Sequence, residues 1–352
     1  MPEHPLTSFV ESLHRPARPA ADLGYRMPGE WEAIEAVWLT YPHNRETWPG
    51  CFERACEQYD YFMSQVARFA DVQMTGRRHG IETDDSWVRD YGPLFVIDAD
   101  GKLACHDFVF DGWGGKYGAA YGRDDVVPQH VARLLDVPIW IRDLVLEGGS
   151  IDVNGRGSVL TTEQCLLHEN RNPHLDRGQL EGVLADAFGA TNVIWLPGGI
   201  EGDDTDGHVD DVARFIGPDA VIAARATDAD HPDHAALERN FEALRQARDE
   251  TGASLELFEL PAPQPLYYDY RPDCFGPGGR QMCPASYANF LLVNEAVLVP
   301  TFEQHGDAAA IGAIERALPD RTVIAIPSQW LVVGLGAVHC LSQHQPRVTP
   351  AV

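Results

Sequence analysis

The stretch GDDTDGHVDDVARF, Gly202–Phe215, gathers five aspartates around a single histidine, His208. The residues after this histidine are apolar or β-branched at several positions, so they predict a strand rather than a solvated acidic loop. In an extended chain, His208 and Asp210 point to the same face. An imidazole beside a carboxylate can act as a general acid and base with its own orienting partner. An acidic turn that leads into a strand explains the stretch equally well.

The composition excludes several classes of protein. Among 352 residues, 27 are basic and 53 are acidic, so the net charge is 27 − 53 = −26. Such acidity argues against nucleic acid or an anionic membrane as a partner and favours a small cationic molecule. The chain contains no apolar run of membrane-helix length, and its start lacks the apolar core of a signal peptide. The seven cysteines include no CxxC pair, which favours reduced thiols in a cytoplasm, one of them a candidate nucleophile.

Short strands and helices alternate along the chain and predict an α/β fold that is not a simple doubly wound sheet. The clearest helix covers residues 52–69, where apolar residues recur every three or four positions. Leu144–Val153 and Phe290–Val299 each predict one strand. Because no change of composition marks a linker, residues 29–352 are predicted to form a single domain, preceded by a proline-rich surface arm over residues 1–28.

A carboxylate interrupts one of these predicted strands. Glu147 lies among apolar neighbours in LVLEGGSIDV. Burying an unpaired carboxylate costs of the order of several kcal/mol. The sequence therefore predicts a partner for Glu147, and a cation is the natural one.

Five segments together supply the groups that a guanidinium-binding site needs. Carboxylates bind the N–H groups of this flat cation, and an aromatic ring can lie against its plane. A cysteine thiolate can attack its central carbon, while a histidine protonates the departing ammonia and then activates water. Nearby carboxylates raise the pKa of the thiol, so a bound cation would help to activate its own nucleophile. The segments are Trp87–Asp90, Gly112–Tyr117, Glu147–Gly149, Asp203–Asp211 and Gly336–Gln343.

The acidic stretch also raises the alternative of a metal site. If Gly207 takes the sixth position of the calcium-loop template, Gly202 and Ala213 fall at the first and twelfth positions, where acids are required. A transition-metal site needs a second histidine or a cysteine at ligand spacing, and the sequence shows none nearby. We therefore predict neither a metal nor a cofactor.

Several longer motifs occur in a fixed order between Met27 and Pro346: MPGEWEAIEAVWLTYPHNRETWPG, DSWVRDYGP, LEGGSIDV, TTEQCLLHENRNP, GDDTDGHVDD and GAVHCLSQHQP. They resemble the agmatine deiminases and the related bacterial peptidyl-arginine-deiminase-like enzymes over nearly the whole chain. The resemblance implies the pentein fold, a five-fold pseudosymmetric α/β propeller around a central site. It also implies cofactor-free hydrolysis of agmatine to N-carbamoylputrescine and ammonia.

The resemblance assigns roles to the reacting groups. Cys340 is the nucleophile, which forms a covalent amidino (thiouronium) intermediate, and His208 is the general acid and base. Asp90 and Asp210 grip the guanidinium nitrogens. Glu147 lies close to His208 and the substrate and orients one or both. Without the motifs, a single cysteine in an apolar strand is more often a core residue than a nucleophile.

The resemblance also suggests residues that bind the rest of the substrate. Trp87 walls the guanidinium pocket, whereas Trp113 is either a core aromatic or part of a lid. Asp204, with Asp206 behind it, is the candidate for the distal ammonium. The acidic loop is one residue shorter before His208 than the GDEDTNGHVDN form common in the family, and LSQHQP replaces the commoner ITQQQP.

Some alternatives remain open at this level. The acidic loop offers no cation for the carboxylate of an arginine, which favours agmatine over free or peptidyl arginine as substrate. A non-catalytic pentein and a metal-dependent hydrolase are the other functions considered, and a homo-oligomer is compatible with the sequence. His339 is predicted to be structural, because it faces away from Cys340 on a regular strand. Cys165 is predicted to be a packed thiol.

Overall fold

The structure of the chain, a computed structural model, describes residues 13–270 and 278–348. The first twelve residues of the predicted arm, and Cys274, lie outside the described residues. Within the described ranges, helices and strands alternate, as the α/β prediction requires. No helix in these ranges is long and apolar enough to cross a membrane.

The strands are short, and most of their residues are buried. In chain order, those of the described residues are β1 (Ile34–Leu39), β2 (Asp71–Met74), β3 (Leu94–Ile97), β4 (Leu103–Val109), β5 (Ile139–Val145), β6 (Ile151–Val153), β7 (Ser158–Thr162), β8 (Asn192–Leu196), β9 (Ala213–Phe215), β10 (Ala220–Arg225), β11 (Glu256–Pro261), β12 (Tyr267–Tyr270), β13 (Gly279–Met282), β14 (Leu291–Val293), β15 (Ala296–Thr301), β16 (Thr322–Pro327) and β17 (Ser342–Pro346).

The helices connect these strands. The α-helices of the same residues are α1 (Phe52–Val66), α2 (Thr75–His79), α3 (Val88–Tyr91), α4 (Val127–Leu135), α5 (Glu163–Leu166), α6 (Arg177–Phe188), α7 (His234–Gln246) and α8 (Asp307–Ala317). Short 3₁₀ turns lie at Ala21–Leu23, Gly118–Tyr121, Gly148–Ser150, Val209–Asp211 and Val332–Gly334. The apolar positions of α1 face the core, as its periodicity predicts: Ala55, Tyr59, Phe62 and Val66 are all buried.

One arrangement of strands recurs five times. Each three-stranded sheet has an antiparallel pair and a parallel pair that share a central strand, and a helix of nine or more residues crosses over between the parallel strands. The sheets are β3-β4-β5, β6-β7-β8, β9-β10-β11, β14-β15-β16 and β17-β1-β2. The last of them joins the two ends of the chain. The remaining strands, β12 and β13, form a hairpin.

Two predicted strands are wrong because the chain turns within them. In Leu144–Val153, β5 ends at Val145 and a 3₁₀ turn over Gly148–Ser150 precedes β6. In Phe290–Val299, β14 and β15 form a hairpin around Asn294. Asn294 adopts a left-handed φ of 48°, which asparagine tolerates better than most residues.

The prediction that His208 and Asp210 project from one strand is also wrong. Asp206 and Gly207 have left-handed φ angles of 66° and 94°, which turn the chain just before the histidine. A 3₁₀ turn then covers Val209–Asp211, and β9 begins only at Ala213. The two side chains therefore meet in a turn rather than on a strand face.

Candidate active site

Each of the five sheets contributes one polar side chain to a common centre. Asp90 precedes β3, Glu147 precedes β6, Asp210 precedes β9, Asn289 precedes β14 and Cys340 precedes β17. In every case the residue lies two to four positions before the strand that pairs antiparallel with the central one. The recurring sheet unit thus explains how groups far apart in sequence come together.

The Cys340 thiol is buried among carboxylates. Asn289 donates from Nδ2 to its sulfur at 3.0 Å, and the sulfur lies 3.5 Å from Asp210 Oδ2. Burial, followed by the charges of Asp210 and Asp211, raises the pKa of Cys340 well above its ordinary value. In the free protein the thiol is therefore protonated at neutral pH.

Asp90 is held in place by two donors. The Trp113 indole N–H donates to Oδ2 at 2.8 Å, and the backbone N–H of Gly149 donates to Oδ1 at 3.0 Å. Burial, followed by the charge of Asp210, raises the pKa of Asp90 well above its usual range. Trp113 has a left-handed φ of 56°, unusual for a bulky residue, so the loop holds a strained conformation that makes this contact.

His208 is fully buried, and in the described part of the chain both of its ring nitrogens are open. Among the described residues neither ring nitrogen has a hydrogen-bond partner, and Nδ1 lies 3.6 Å from Asp90 Oδ1. Burial lowers the pKa of His208 to about 3, so its imidazole is neutral. A neutral imidazole with an open nitrogen can act as a general base.

Gly149 allows three of these side chains to converge. A Cβ at this position would lie 2.6 Å from His208 Nδ1, 2.8 Å from Asp90 Oδ1 and 3.2 Å from Asp210 Oδ2. Only glycine fits without pushing these groups apart. The contacts also show that His208, Asp90 and Asp210 surround one point.

His339 orients Asp210. Its Nδ1 lies 2.7 Å from Asp210 Oδ2, and its Nε2 lies 2.9 Å from Glu30 Oε1. Burial would raise the pKa of Asp210, but the hydrogen bond and charge of His339 lower it. The prediction of a regular strand at His339 and Cys340 is wrong, because both residues lie in a turn and β17 begins at Ser342.

Glu30 anchors this network from the N-terminal motif. Arg89 donates to Glu30 at 2.7 Å, and Arg214 forms a second buried ion pair with it. Arg89 therefore bonds to Glu30 rather than to its neighbour Asp90, and Asp90 is left for the site. The two arginines, with His339, lower the pKa of Glu30 well below its usual value against the effect of burial.

Arg171 is the cation that Glu147 was predicted to need. Its Nε lies 2.8 Å from Glu147 Oε1, and its Nη1 lies 2.6 Å from Asp206 Oδ2. Burial raises the pKa of Glu147, and the charge of Arg171 opposes that rise. The second oxygen of Glu147 has no hydrogen-bond partner among the described residues, so it remains available at the site.

A cysteine does lie near His208, contrary to the sequence-based expectation. The ligand atoms of Glu147, Cys165 and His208 are all within 4.8 Å of one another. Burial, followed by the charge of Glu147, raises the pKa of the Cys165 thiol well above its ordinary value. Because Arg171 already neutralises Glu147, the cluster is poorly suited to a metal cation.

A narrow cleft leads to Cys340. Trp87, Trp113, Tyr117, Asp204 and Cys340 contribute to its walls, and its volume is about 20 Å³. Trp87 is buried, with its ring centroid 5.5 Å from that of a neighbouring tryptophan. The predicted wall residues are thus placed together beside the thiol.

The acidic loop itself contains no cation, but Lys116 from another segment contacts it. Lys116 Nζ lies 2.8 Å from Asp206 Oδ1 and 2.5 Å from the carbonyl oxygen of Asp204. Burial would raise the pKa of Asp206, but hydrogen bonds from Lys116, Asn170 and Arg171 lower it to about 2. Both oxygens of Asp206 are therefore occupied, whereas Asp204 faces the cleft.

Comparison with known proteins identifies the family. The model of the Porphyromonas-type peptidyl-arginine deiminases matches residues 26–346. The chain belongs to this family. It is 36% identical to the agmatine deiminase of Pseudomonas aeruginosa (strain LESB58), over 93% of this chain and 97% of that protein.

Solved structures agree with this assignment to the Porphyromonas-type peptidyl-arginine deiminase family. The agmatine deiminase of Enterococcus faecalis superimposes with a TM-score of 0.88 at 30% identity, covering 96% of this chain and all of that one. A cysteine-to-serine variant of the C. jejuni agmatine deiminase, solved with substrate bound, gives a TM-score of 0.82 at 30% identity. It covers 92% of this chain and 97% of that one.

In this family member, four further residues surround the site. Sequence reasoning assigned no role to three of them and predicted only a structural role for His339. Asn289, His339, Arg171 and Lys116 contact Cys340, Asp210, Glu147 and the acidic loop, respectively. Two of them lie within motifs quoted for the resemblance, HENRNP and AVHCLS, which was the available signal. Asn289 gave no comparable signal. Lys116 lay within the glycine-rich segment, but its distance from the acidic loop in sequence concealed its partner.

Proposed function

We propose that this protein catalyses the hydrolytic deimination of agmatine to N-carbamoylputrescine and ammonia. The observation that carries the proposal is the convergence of the Cys340 thiol, the His208 imidazole and the carboxylates of Asp90 and Asp210 at one buried point. A guanidinium ion is the small molecule whose charge, flat shape and electrophilic carbon fit that set of groups. The named relatives are agmatine deiminases.

In the first step the guanidinium group of the substrate binds and brings a positive charge to the buried carboxylates. Asp90 and Asp210 accept hydrogen bonds from the guanidinium nitrogens, and the ring of Trp87 lies against its plane. Glu147 orients His208 through its open oxygen. Burial makes these charge-assisted bonds strong because water is excluded from the centre.

The covalent step transfers one proton and breaks one C–N bond. The neutral His208 accepts the thiol proton, and the Cys340 sulfur attacks the central guanidinium carbon. The tetrahedral adduct collapses, and His208 returns the proton to the departing nitrogen, which leaves as ammonia. An alkylated thiouronium remains bound to the sulfur of Cys340.

Hydrolysis then reverses these roles. His208 takes a proton from water, whose oxygen attacks the thiouronium carbon. The C–S bond breaks, and His208 returns its proton to the sulfur, which re-forms the thiol of Cys340. The hydroxyl of the tetrahedral adduct releases its proton to solvent as the C=O bond forms, and N-carbamoylputrescine leaves. No redox change or added co-reactant other than water is needed.

At the other end of the substrate, Asp204 binds the distal ammonium, since Asp204 faces the cleft. Asp206 supports it indirectly by holding Lys116 and Arg171. Trp113 contributes by fixing Asp90 and lining the cleft. These roles extend the predicted assignments of Asp204, Asp206 and Trp113.

We expect the pKa of the Cys340 thiol to fall when a cationic guanidine binds. In the free protein, burial and the neighbouring carboxylates raise this pKa well above its ordinary value, so the thiol is protonated at neutral pH. A bound cation stabilises the thiolate and lowers the pKa. The check is an ultraviolet thiolate titration of wild type and Cys340→Ala, with and without an unreactive alkylamidine. A thiol already ionised below neutral pH in the free protein would contradict the scheme.

The proposed function is tested by ammonia release from agmatine, free arginine and a peptidyl-arginine substrate. We expect agmatine to be turned over with the highest kcat/KM, because the charge of Lys116 is already matched by two aspartates and is not free for a substrate carboxylate. Ammonia release from arginine but not from agmatine would show that arginine, and not agmatine, is the substrate. Activity lost to a chelator and restored by a metal would favour a metal-dependent hydrolase instead.

The proposal extends to the architecture and surroundings of the protein. The five sheet units support a five-fold pseudosymmetric propeller, with residues 29–352 forming one catalytic domain behind an N-terminal arm. The domain donates hydrogen bonds to the carbonyl oxygens of residues 14 and 18, such as that from Trp140 Nε1 to Arg18 at 2.7 Å, and these bonds are compatible with a surface arm. The free thiols of the described cysteines support a reducing cytoplasm.

A further inference from the structure

Lys116 contacts Asp204, which is one of the residues that line the cleft. Its ammonium lies 2.5 Å from the carbonyl oxygen of Asp204, 3.5 Å from Asp204 Oδ1 and 2.8 Å from Asp206 Oδ1. The hydroxyl of the adjacent Tyr117 hydrogen-bonds to the other carboxylate oxygen of Asp204. The carboxylate of Asp204, which faces the cleft, therefore already has an ammonium and a hydroxyl of this chain as partners.

The cleft is too small for the substrate while these contacts persist. Its volume is about 20 Å³, whereas small-molecule sites usually measure roughly 300 Å³ or more. Tyr117, which lines the cleft and hydrogen-bonds to Asp204, must therefore move before an alkyl guanidine can enter. The preceding residues Gly112, Gly114 and Gly115 all have left-handed φ angles, a conformation that costs glycine little.

The side chain of Lys116 ends in the same charged group as the distal end of agmatine. Both are primary ammonium ions with three N–H donors. Only two of the 27 basic residues are lysines, Lys102 and Lys116, so 27 − 2 = 25 are arginines. An arginine at position 116 would keep the positive charge but present it as a planar fork.

We infer that Lys116 is a specificity-determining residue that competes with the distal ammonium of the substrate for Asp204. The inference rests on the proposed function and deepens it. When agmatine binds, its ammonium replaces Lys116 at Asp204, and Lys116 keeps its ion pair with Asp206. A guanidine with an uncharged tail cannot replace Lys116 without leaving the partly buried Asp204 unpaired, so it binds poorly.

The competition reduces apparent affinity in a way that can be measured. If Lys116 occupies Asp204 in nine of ten molecules, the apparent affinity for agmatine is about tenfold below its intrinsic value. Removing the ammonium removes this penalty for agmatine only. A pentylguanidine, which has nearly the same length but no distal charge, gains nothing, because Asp204 then has no cation at all.

The experiment compares Lys116→Met with the matched control Lys102→Met. Lys102 is exposed, and among the described residues its ion-pair partners are Asp98 and Asp100. We expect Lys116→Met to lower the KM for agmatine by about 3- to 10-fold, with kcat within about twofold of wild type. The inhibition constant of pentylguanidine should stay unchanged or rise. Lys102→Met should match wild type in every measurement.

A second variant separates competition from a loosened loop. Lys116→Arg keeps the charge that pairs with Asp206 and should keep the KM for agmatine near the wild-type value or above it. A higher KM for agmatine in Lys116→Met, or equal changes for agmatine and pentylguanidine, would overturn the inference. If wild type released no ammonia from agmatine, the proposed function itself would fail, which is a distinct result.

Discussion

Replacing Cys340 with alanine is expected to abolish ammonia release from agmatine. Loss of the attacking atom in nucleophilic enzymes lowers kcat by roughly 10⁴- to 10⁶-fold. Steady-state ammonia release measures the loss. In wild type, rapid acid quenching followed by mass spectrometry should find a Cys340 adduct with the mass of agmatine less ammonia. Turnover that persists in Cys340→Ala would contradict the covalent mechanism.

A buried cysteine away from the site gives a matched control for this substitution. Cys283 contacts Tyr270 and packs in the core, so Cys283→Ala removes a buried sulfur without touching the site. We expect Cys283→Ala to retain activity. Cys340→Ala should still bind agmatine, because Asp90 and Asp210 remain, and agmatine should raise its melting temperature. A loss of binding would show that the substitution disturbs the carboxylates.

The sequence predicts the fold best where the signal is local. Helix α1 follows from the three- and four-residue spacing of its apolar side chains, and its predicted end misses by three residues. The five repeated sheets do not follow from the sequence, since strands such as β6 and β14 have only three residues each, all buried. Strands buried on both faces show no alternation from which to infer their partners.

The same limit applies to the site. His208 and Asp210 were predicted to meet, but through a strand, because the left-handed residues before them cannot be inferred from an acidic stretch. Lys116 and Asp204 are 88 residues apart, and Asn289 and Cys340 are 51 apart. Contacts of that separation are created by the recurring sheets and not by any local pattern.

Replacing Arg171 with methionine is expected to destabilise the protein by about 3–5 kcal/mol. Arg171 is fully buried and is the cation bound to Glu147, and it also bonds to Asp206. Its removal leaves a buried carboxylate without compensation and frees the acidic loop. Denaturant unfolding measures the loss of stability. The exposed pair of Arg177 and Glu163 provides the control, since Arg177→Met should cost less than about 1 kcal/mol.

The cause of this instability can be isolated with a second substitution. Adding Glu147→Gln to Arg171→Met removes the unpaired charge, so the double variant should regain much of the lost stability. It should not regain activity, because the proposed mechanism uses the carboxylate of Glu147 to orient His208 and the substrate. If the double variant is no more stable than Arg171→Met, lost packing rather than lost charge explains the effect.

The instability of Arg171→Met should also depend on pH. Burial raises the pKa of Glu147 in the folded protein, and loss of Arg171 removes the charge that opposes this rise. Between the unfolded pKa of about 4.3 and the raised folded value, the folded state binds more protons than the unfolded state, so the free energy of unfolding falls as pH increases. The stability difference from wild type should therefore be small below pH 4.3 and grow toward neutral pH. A difference that is constant over this range would rule out Glu147 as its source.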